Sequence, residues 1–152
     1  MARLLASFFG TGLILGRVRG SDAGSGTVGG GFGVVLAFSL GEAAGWLWVL
    51  VVALVLLVVG TWAASRLPPG TDDAGWIVID EAAGAFLAVI GLTTWPVALA
   101  AFAVFRLADI AKKWFPGVAA AERLPGAAGV MADDLAAGLY GLAFGHIMQA
   151  LF

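Results

Sequence analysis

From Trp46 to Ala64 the chain runs through about 19 residues without a charge, bounded by Gly45 on one side and by the Arg66-Leu67-Pro68-Pro69-Gly70 breaker on the other. That length matches the ~20 residues an α-helix needs to cross the hydrocarbon of a bilayer. The rest of the chain agrees with a membrane setting. Hydrophobic residues make up 61% and charged residues 12%, with a mean hydropathy of +1.01, far from the balance of a water-soluble domain. The 23 glycines and many alanines suit helices that approach closely in lipid, where packing replaces the hydrophobic effect. With no cysteine, disulfides, thiolate metal sites and a cysteine nucleophile are excluded. A net charge of -2 without a basic cluster gives no reason to expect a nucleic-acid partner.

The predicted architecture is an all-α, polytopic membrane helix bundle with about four to six apolar segments, some short or re-entrant, forming one domain over residues 1–152. Ile77 to Trp95 reads as a second span, entered through Asp80-Glu81 and stopped at Thr93-Thr94-Trp95-Pro96. Pro96 suits the first turn of the next helix, Val97 to Ile110, and Val130 to Phe152 closes the chain as a last span. Two apolar segments are shorter. Leu4 to Leu15 resembles a signal peptide without a clear cleavage site and is kept as a membrane segment; with Thr27 to Leu40 it is tilted, interfacial or re-entrant.

Spans joined by short loops alternate direction, which assigns every charge to a side. By that count nine of the ten acids, all but Glu42, meet at one membrane surface, and so do seven of the eight bases, all but Arg3. The excess of Arg and Lys, including Arg17 and Arg19, marks that surface as cytoplasmic. Asp22, Asp72, Asp73 and Glu122 read as solvated loop charge. Asp80, Asp109 and Asp134 differ, because they lie inside or against apolar runs on three different helices, where a carboxylate is costly to bury. Helix spacing puts Asp80, Gly84, Ala88 and Gly91 on one stripe and Asp134, Gly138, Gly141 and Gly145 on another, so each acid heads a small-residue face that turns into the bundle.

Several carboxylates without a matching thiol or imidazole set are suited to Mg²⁺ held together with substrate phosphate oxygens. Glu81 and Asp133 stand beside the three central acids as further ligands. Arg106, Lys112, Lys113 and Arg123 read either as anion partners or as ordinary positive flanks of membrane helices. The run Gly24-Ser25-Gly26-Thr27-Val28-Gly29-Gly30-Gly31-Phe32-Gly33 either cradles a phosphate at a helix N-terminus or lets helices pack closely. His146, the only histidine, lies twelve positions beyond Asp134. A helix puts it ~18 Å away, near the far surface, which argues against a phosphohistidine or histidine base.

Four blocks, Ser25-Gly-Thr-Val-Gly-Gly30, Ile77-Val-Ile-Asp-Glu-Ala-Ala-Gly84, Phe105-Arg-Leu-Ala-Asp-Ile-Ala-Lys112 and Gly129-Val-Met-Ala-Asp-Asp-Leu-Ala-Ala-Gly138, resemble in order and spacing the motifs of the phosphatidylglycerophosphatase A family. The resemblance covers roughly residues 8 to 145. It implies a bacterial inner-membrane, Mg²⁺-dependent lipid phosphatase that converts phosphatidylglycerophosphate to phosphatidylglycerol, with Thr27, Asp80, Glu81, Asp109, Lys112, Asp133 and Asp134 at motif positions. The family usually reads Pro-Gly-Thr where this chain has Ser25-Gly26-Thr27 and Trp-Asp-Glu where it has Ile79-Asp80-Glu81; no acid is lost.

The expected mechanism is phosphomonoester hydrolysis at the cytoplasmic interface. Catalysis falls to Asp80, Asp109 and Asp134, the metal to these three with Glu81 or Asp133, and the substrate to Gly26, Thr27, Arg106, Lys112 and Arg123. Direct attack by water and an aspartyl-phosphate on Asp80 or Asp134 both fit these residues. The competing class is a small cation carrier or channel with an interfacial acidic site, which predicts acids spread through the membrane depth.

Overall fold

The computed structural model describes residues 1–68, 71 and 74–152 of the chain, so Asp72 and Asp73 lie outside the described residues. Eight α-helices and two short 3₁₀ turns appear among them, and no strand. The helices are α1 (Ala2–Ala6), α2 (Ile14–Arg19), α3 (Ser25–Ala44), α4 (Trp46–Ala64), α5 (Ile79–Ala88), α6 (Trp95–Ile110), α7 (Val118–Ala121) and α8 (Ala127–Leu151). Three of them, α3, α4 and α8, are long and apolar enough to cross a membrane.

The bounds of α4 are those the uncharged run predicts. Helix α3 is longer than its apolar run: the expected Thr27 to Leu40 extends through Gly41-Glu42-Ala43-Ala44, so a charge near its far end does not stop it. Gly45 alone joins α3 to α4, at φ +90 and ψ 164, a conformation essentially reserved for glycine. The expected span Ile77 to Trp95 is corrected. Helix α5 holds only 10 residues, about 15 Å, and then gives way to a turn in which Gly91 adopts φ +74. His146 Nε2 lies 2.9 Å from the Ile90 carbonyl, and the Gln149 amide donates to the Gly91 carbonyl at 3.2 Å. The end of α8 therefore ties down this turn, at the opposite end of the bundle from Asp134. Pro96 sits in the first turn of α6, as expected.

The N-terminal segment is not one continuous helix. Phe8 and Phe9 have φ of 46 and 58, a region that costs a bulky residue of order 1–2 kcal/mol. Ser7 holds the bend: its Oγ accepts from the Gly10 N–H at 3.1 Å, while the Thr11 hydroxyl donates to the Phe8 carbonyl at 2.9 Å. The chain folds back so that the Val78 N–H donates to the Ala6 carbonyl at 3.0 Å, and Arg3 lies over the Trp76 ring at 5.1 Å. Arg3 therefore joins the other bases, and all eight sit at one end of the bundle.

Small residues set how closely the helices approach. The glycine-rich run is helical, and a Cβ at Gly29 would come within 2.6 Å of the Val78 side chain, one at Gly33 within 3.1 Å of the Ala82 Cα. Gly29 and Gly33 thus serve packing of α3 against α5 and its preceding residue, which offsets their poor helix propensity of ~1 kcal/mol each. Helices α5 and α8 meet backbone to backbone: a Cβ on Gly138 would lie 2.7 Å from the Gly84 carbonyl oxygen, and one on Gly84 2.7 Å from the Asp134 carbonyl oxygen. Gly141 and Gly145 continue that face against Ala88, Ala101 and Leu92, as the stripe predicts. Gly91 drops out of the α5 stripe because the helix has already ended.

Candidate active site

Asp80 precedes Gly84 by four residues on α5, and Asp134 precedes Gly138 by four residues on α8. The crossing at the two glycines therefore brings both acids together one turn nearer the charged end. Carboxylate oxygens of Asp80, Glu81 and Asp134 lie within 4.8 Å of one another. They face a cleft of about 340 Å³ whose wall includes Asp109, Lys112, Glu122 and Asp133, with Ile77, Leu124 and Val130 among its apolar members. Asp80, Asp109, Asp133 and Asp134 are all buried.

Short-range bonds decide which oxygens remain free. Asp80 Oδ1 accepts from the Glu81 N–H at 3.0 Å, and Asp133 Oδ1 accepts from the Asp134 N–H at 3.0 Å. Asp133 Oδ2 is taken by the Lys112 ammonium at 2.6 Å, which also reaches Glu122 at 2.9 Å. Burial works to lower the Lys112 pKa, but hydrogen bonds to Asp133 and Glu122 and the charges of Asp133 and Asp109 outweigh it and hold the group above the usual lysine range. Arg106 Nη1 stands 2.8 Å from Asp109 Oδ2 and 3.9 Å from Glu81 Oε1, close charge contacts without hydrogen-bond alignment to either oxygen. Glu81 Oε2 and Asp134 Oδ1 are buried with no partner at all.

Buried carboxylate oxygens without a donor are costly, and a cation among them removes the cost. Three all-oxygen carboxylate groups around one point could hold a metal ion, and by donor chemistry a hard one. The expected grouping of Asp80, Asp109 and Asp134 is modified here: Glu81 completes the compact trio, while Asp109 lines the same cleft turned toward Arg106. Sequence spacing could have shown this in part, since Asp80 and Glu81 are adjacent in the first turn of α5. Glu122, read from sequence as loop charge, also reaches the cleft through Lys112. The cleft wall does not include Gly26, Thr27, Arg106 or Arg123. Gly26 is buried against Glu81 and Arg106, and Thr27 and Arg123 are exposed.

His146 lies at the far end, as expected. Replacing it with glutamine should change catalysis by less than about threefold, because no group at that depth can reach the reacting atoms. Lipid-phosphate release measured beside wild type checks this, and a hundredfold loss would overturn the placement of the site.

Fold and site together define a helical membrane protein with a polyacidic centre at one end of the bundle. A family model described as "Phosphatidylglycerophosphatase A" matches residues 4–149, and the chain belongs to that family, one of membrane lipid phosphatases. Phosphatidylglycerophosphatase A of Haemophilus influenzae is 37% identical over 141 residues, covering 90% of this chain and 82% of that protein. The "Putative phosphatidylinositol-3-phosphatase" of Bacteroides thetaiotaomicron is 37% identical over 101 residues, 62% of each chain. The chain thus spans less than two thirds of that second relative. No solved structure matches at a significant level.

Proposed function

We propose that residues 1–152 form a single integral-membrane domain that hydrolyses phosphatidylglycerophosphate to phosphatidylglycerol and phosphate with Mg²⁺, at the cytoplasmic face of a bacterial inner membrane. The observation that carries this reading is the trio Asp80, Glu81 and Asp134, two of whose buried oxygens lack any partner, in a cleft at the end of the bundle where all the bases gather. The basic end supports the cytoplasmic orientation. Membership of the family supports a phosphorylated lipid as substrate. Between the head groups named for the two relatives, the longer alignment with the H. influenzae enzyme favours phosphatidylglycerophosphate. A cation carrier would spread acids through the depth of the bundle; among the described residues only Glu42 lies away from the charged end.

In the proposed mechanism Asp80, Glu81 and Asp134 would hold the ion. When bound, Mg²⁺ supplies charge against the phosphate oxygens and makes water a better nucleophile. Lys112 brings a fixed positive charge to the cleft wall and holds Asp133 and Glu122 in place, so the charge that meets the phosphate is arranged before it arrives. Asp109, three residues before Lys112, completes the acidic lining. Arg123, beside the lining residues Glu122 and Leu124, and Thr27 are assigned to head-group contacts outside the cleft. Helices α5 and α6 sit within the bundle beside the three long helices, which brings the membrane-embedded segments to five.

Purified protein in mixed micelles is expected to release phosphate from phosphatidylglycerophosphate only with Mg²⁺, to lose that activity on chelation and to regain it when Mg²⁺ is restored. Faster turnover of phosphatidylinositol 3-phosphate would replace the assigned substrate. Release from neither lipid would remove the enzymatic reading.

A further inference from the structure

Arg106 does not stand where a substrate-binding residue should. Its side chain is 13% exposed, and it is absent from the cleft wall that Glu81 and Asp109 help to form. One end of its guanidinium approaches carboxylates from two different helices: Asp109 of α6 at 2.8 Å and Glu81 of α5 at 3.9 Å. Its carbon stands 5.6 Å from the Phe105 ring centre, which limits its movement. Directly beneath is Gly26 of α3. A Cβ there would collide with Glu81 Oε1, come within 2.8 Å of Glu81 Cδ and lie 3.1 Å from Arg106 Nη2. The recess left by the missing side chain is the space in which the Glu81 carboxylate and the guanidinium meet.

We infer that Arg106 is a positioning residue that braces Glu81 and Asp109, with Gly26 as the recess that admits the contact. The inference rests on the metal reading of the Asp80, Glu81 and Asp134 trio. It follows from which oxygens are engaged. Glu81 Oε1 faces Arg106 and Gly26, which leaves Oε2, buried and without a partner, as the oxygen available to an ion. Two carboxylates drawn to one planar cation keep their relative orientation before any ion arrives, which a flexible ammonium at this position would not achieve. The structure thereby separates two arginine and lysine roles that a sequence reading merges: Lys112 is on the cleft wall, Arg106 is not.

Mn²⁺ binding to the purified, lipid-free protein, followed by electron paramagnetic resonance, tests the brace apart from catalysis. Arg106→Gln is expected to weaken Mn²⁺ binding about 10–100-fold, the usual cost of losing a residue that orients metal ligands, and to lower kcat while KM for the lipid stays within about twofold. Arg106→Lys should recover only part of the loss. Coulomb attraction alone predicts the opposite sign, because removing a cation beside carboxylates would tighten Mn²⁺ binding. Unchanged or tighter binding, or a raised KM with binding intact, therefore overturns the inference. Should Arg106→Gln fail to fold, Gly26→Ala decides, since it keeps every charge yet drives a methyl group against Glu81 and Arg106: weaker Mn²⁺ binding supports the brace and unaltered binding removes it. Binding that Asp134→Asn abolishes but both brace variants leave intact overturns this inference alone. Wild-type protein that binds no Mn²⁺ takes the metal reading down, and the brace with it.

Discussion

Asp134→Asn is expected to lower lipid-phosphate release by on the order of 10²–10³-fold or more while leaving the thermal midpoint of the detergent-solubilised, metal-free protein unchanged or higher. The two halves of that result have one cause. Oxygens of Asp80, Glu81 and Asp134 crowd within 4.8 Å, so without an ion the trio is a source of repulsion in a water-poor setting. An asparagine removes one charge at nearly constant shape. Stability gains what repulsion had cost, and the site loses a ligand and the field that would receive the phosphate. Asp80→Asn should behave in the same way, because its carboxylate belongs to the same trio from the facing helix. Phosphate-release assays and melts on the same preparations check both halves. Retained activity in both variants would remove these acids from the chemistry, and a large loss of stability would show that they hold the fold together instead.

Gly138→Val should give the reverse pattern, a failure of assembly that drags activity down with it. A Cβ at this position would lie 2.7 Å from the Gly84 carbonyl oxygen, 3.2 Å from its Cα and 3.3 Å from its carbonyl carbon. These are backbone atoms, which no rotamer change can move aside. Helices α5 and α8 would have to separate, costing about 1–3 kcal/mol or more. Separation at the crossing point would also pull Asp80 away from Asp134. Gly31 supplies the control, since nothing lies within 4 Å of a Cβ built there, and Gly31→Ala should be as stable as wild type or gain up to about 1 kcal/mol of helix propensity. Equal melting temperatures for Gly138→Val and Gly31→Ala would mean that the α5–α8 contact does not set the stability of the bundle.

The sequence made the extremes of this structure legible. Helix α4 is bounded by a glycine and a proline pair, signals that act locally, and its span is read without error. The gathering of acids at one end follows from the alternation of direction alone, and the Gly138–Gly141–Gly145 face follows from helical spacing. What escaped was decided by contacts between distant residues. The apolar residues Val89, Ile90 and Leu92 look the same in a turn as in a helix; Gln149 and His146, more than fifty positions away, hold that turn in place. Nothing in a Phe8-Phe9 pair announces a left-handed bend, which depends on Ser7, Thr11 and the docking of Ala6 on Val78. Which of the five expected metal ligands lie closest together, Asp80, Glu81 and Asp134, depends on how the helices are rotated, and spacing along one helix carries no information about that. Arg106 is the same problem.

The six tryptophans occupy the two ends of the bundle: Trp46, Trp48 and Trp95 at the far end, Trp62, Trp76 and Trp114 at the end that carries the cleft. Along α4, Trp46 and Trp62 are separated by about 24 Å, and indole rings settle at the boundary between hydrocarbon and head groups. Rings at both boundaries would resist vertical drift in either direction and hold the bundle at a constant height in a bilayer. A lipid is held at its own height by its acyl chains. With both floating at fixed levels, the proposed site at Asp80, Glu81 and Asp134 would meet a lipid phosphate by altitude alone, and the search for substrate would reduce to sliding in a plane.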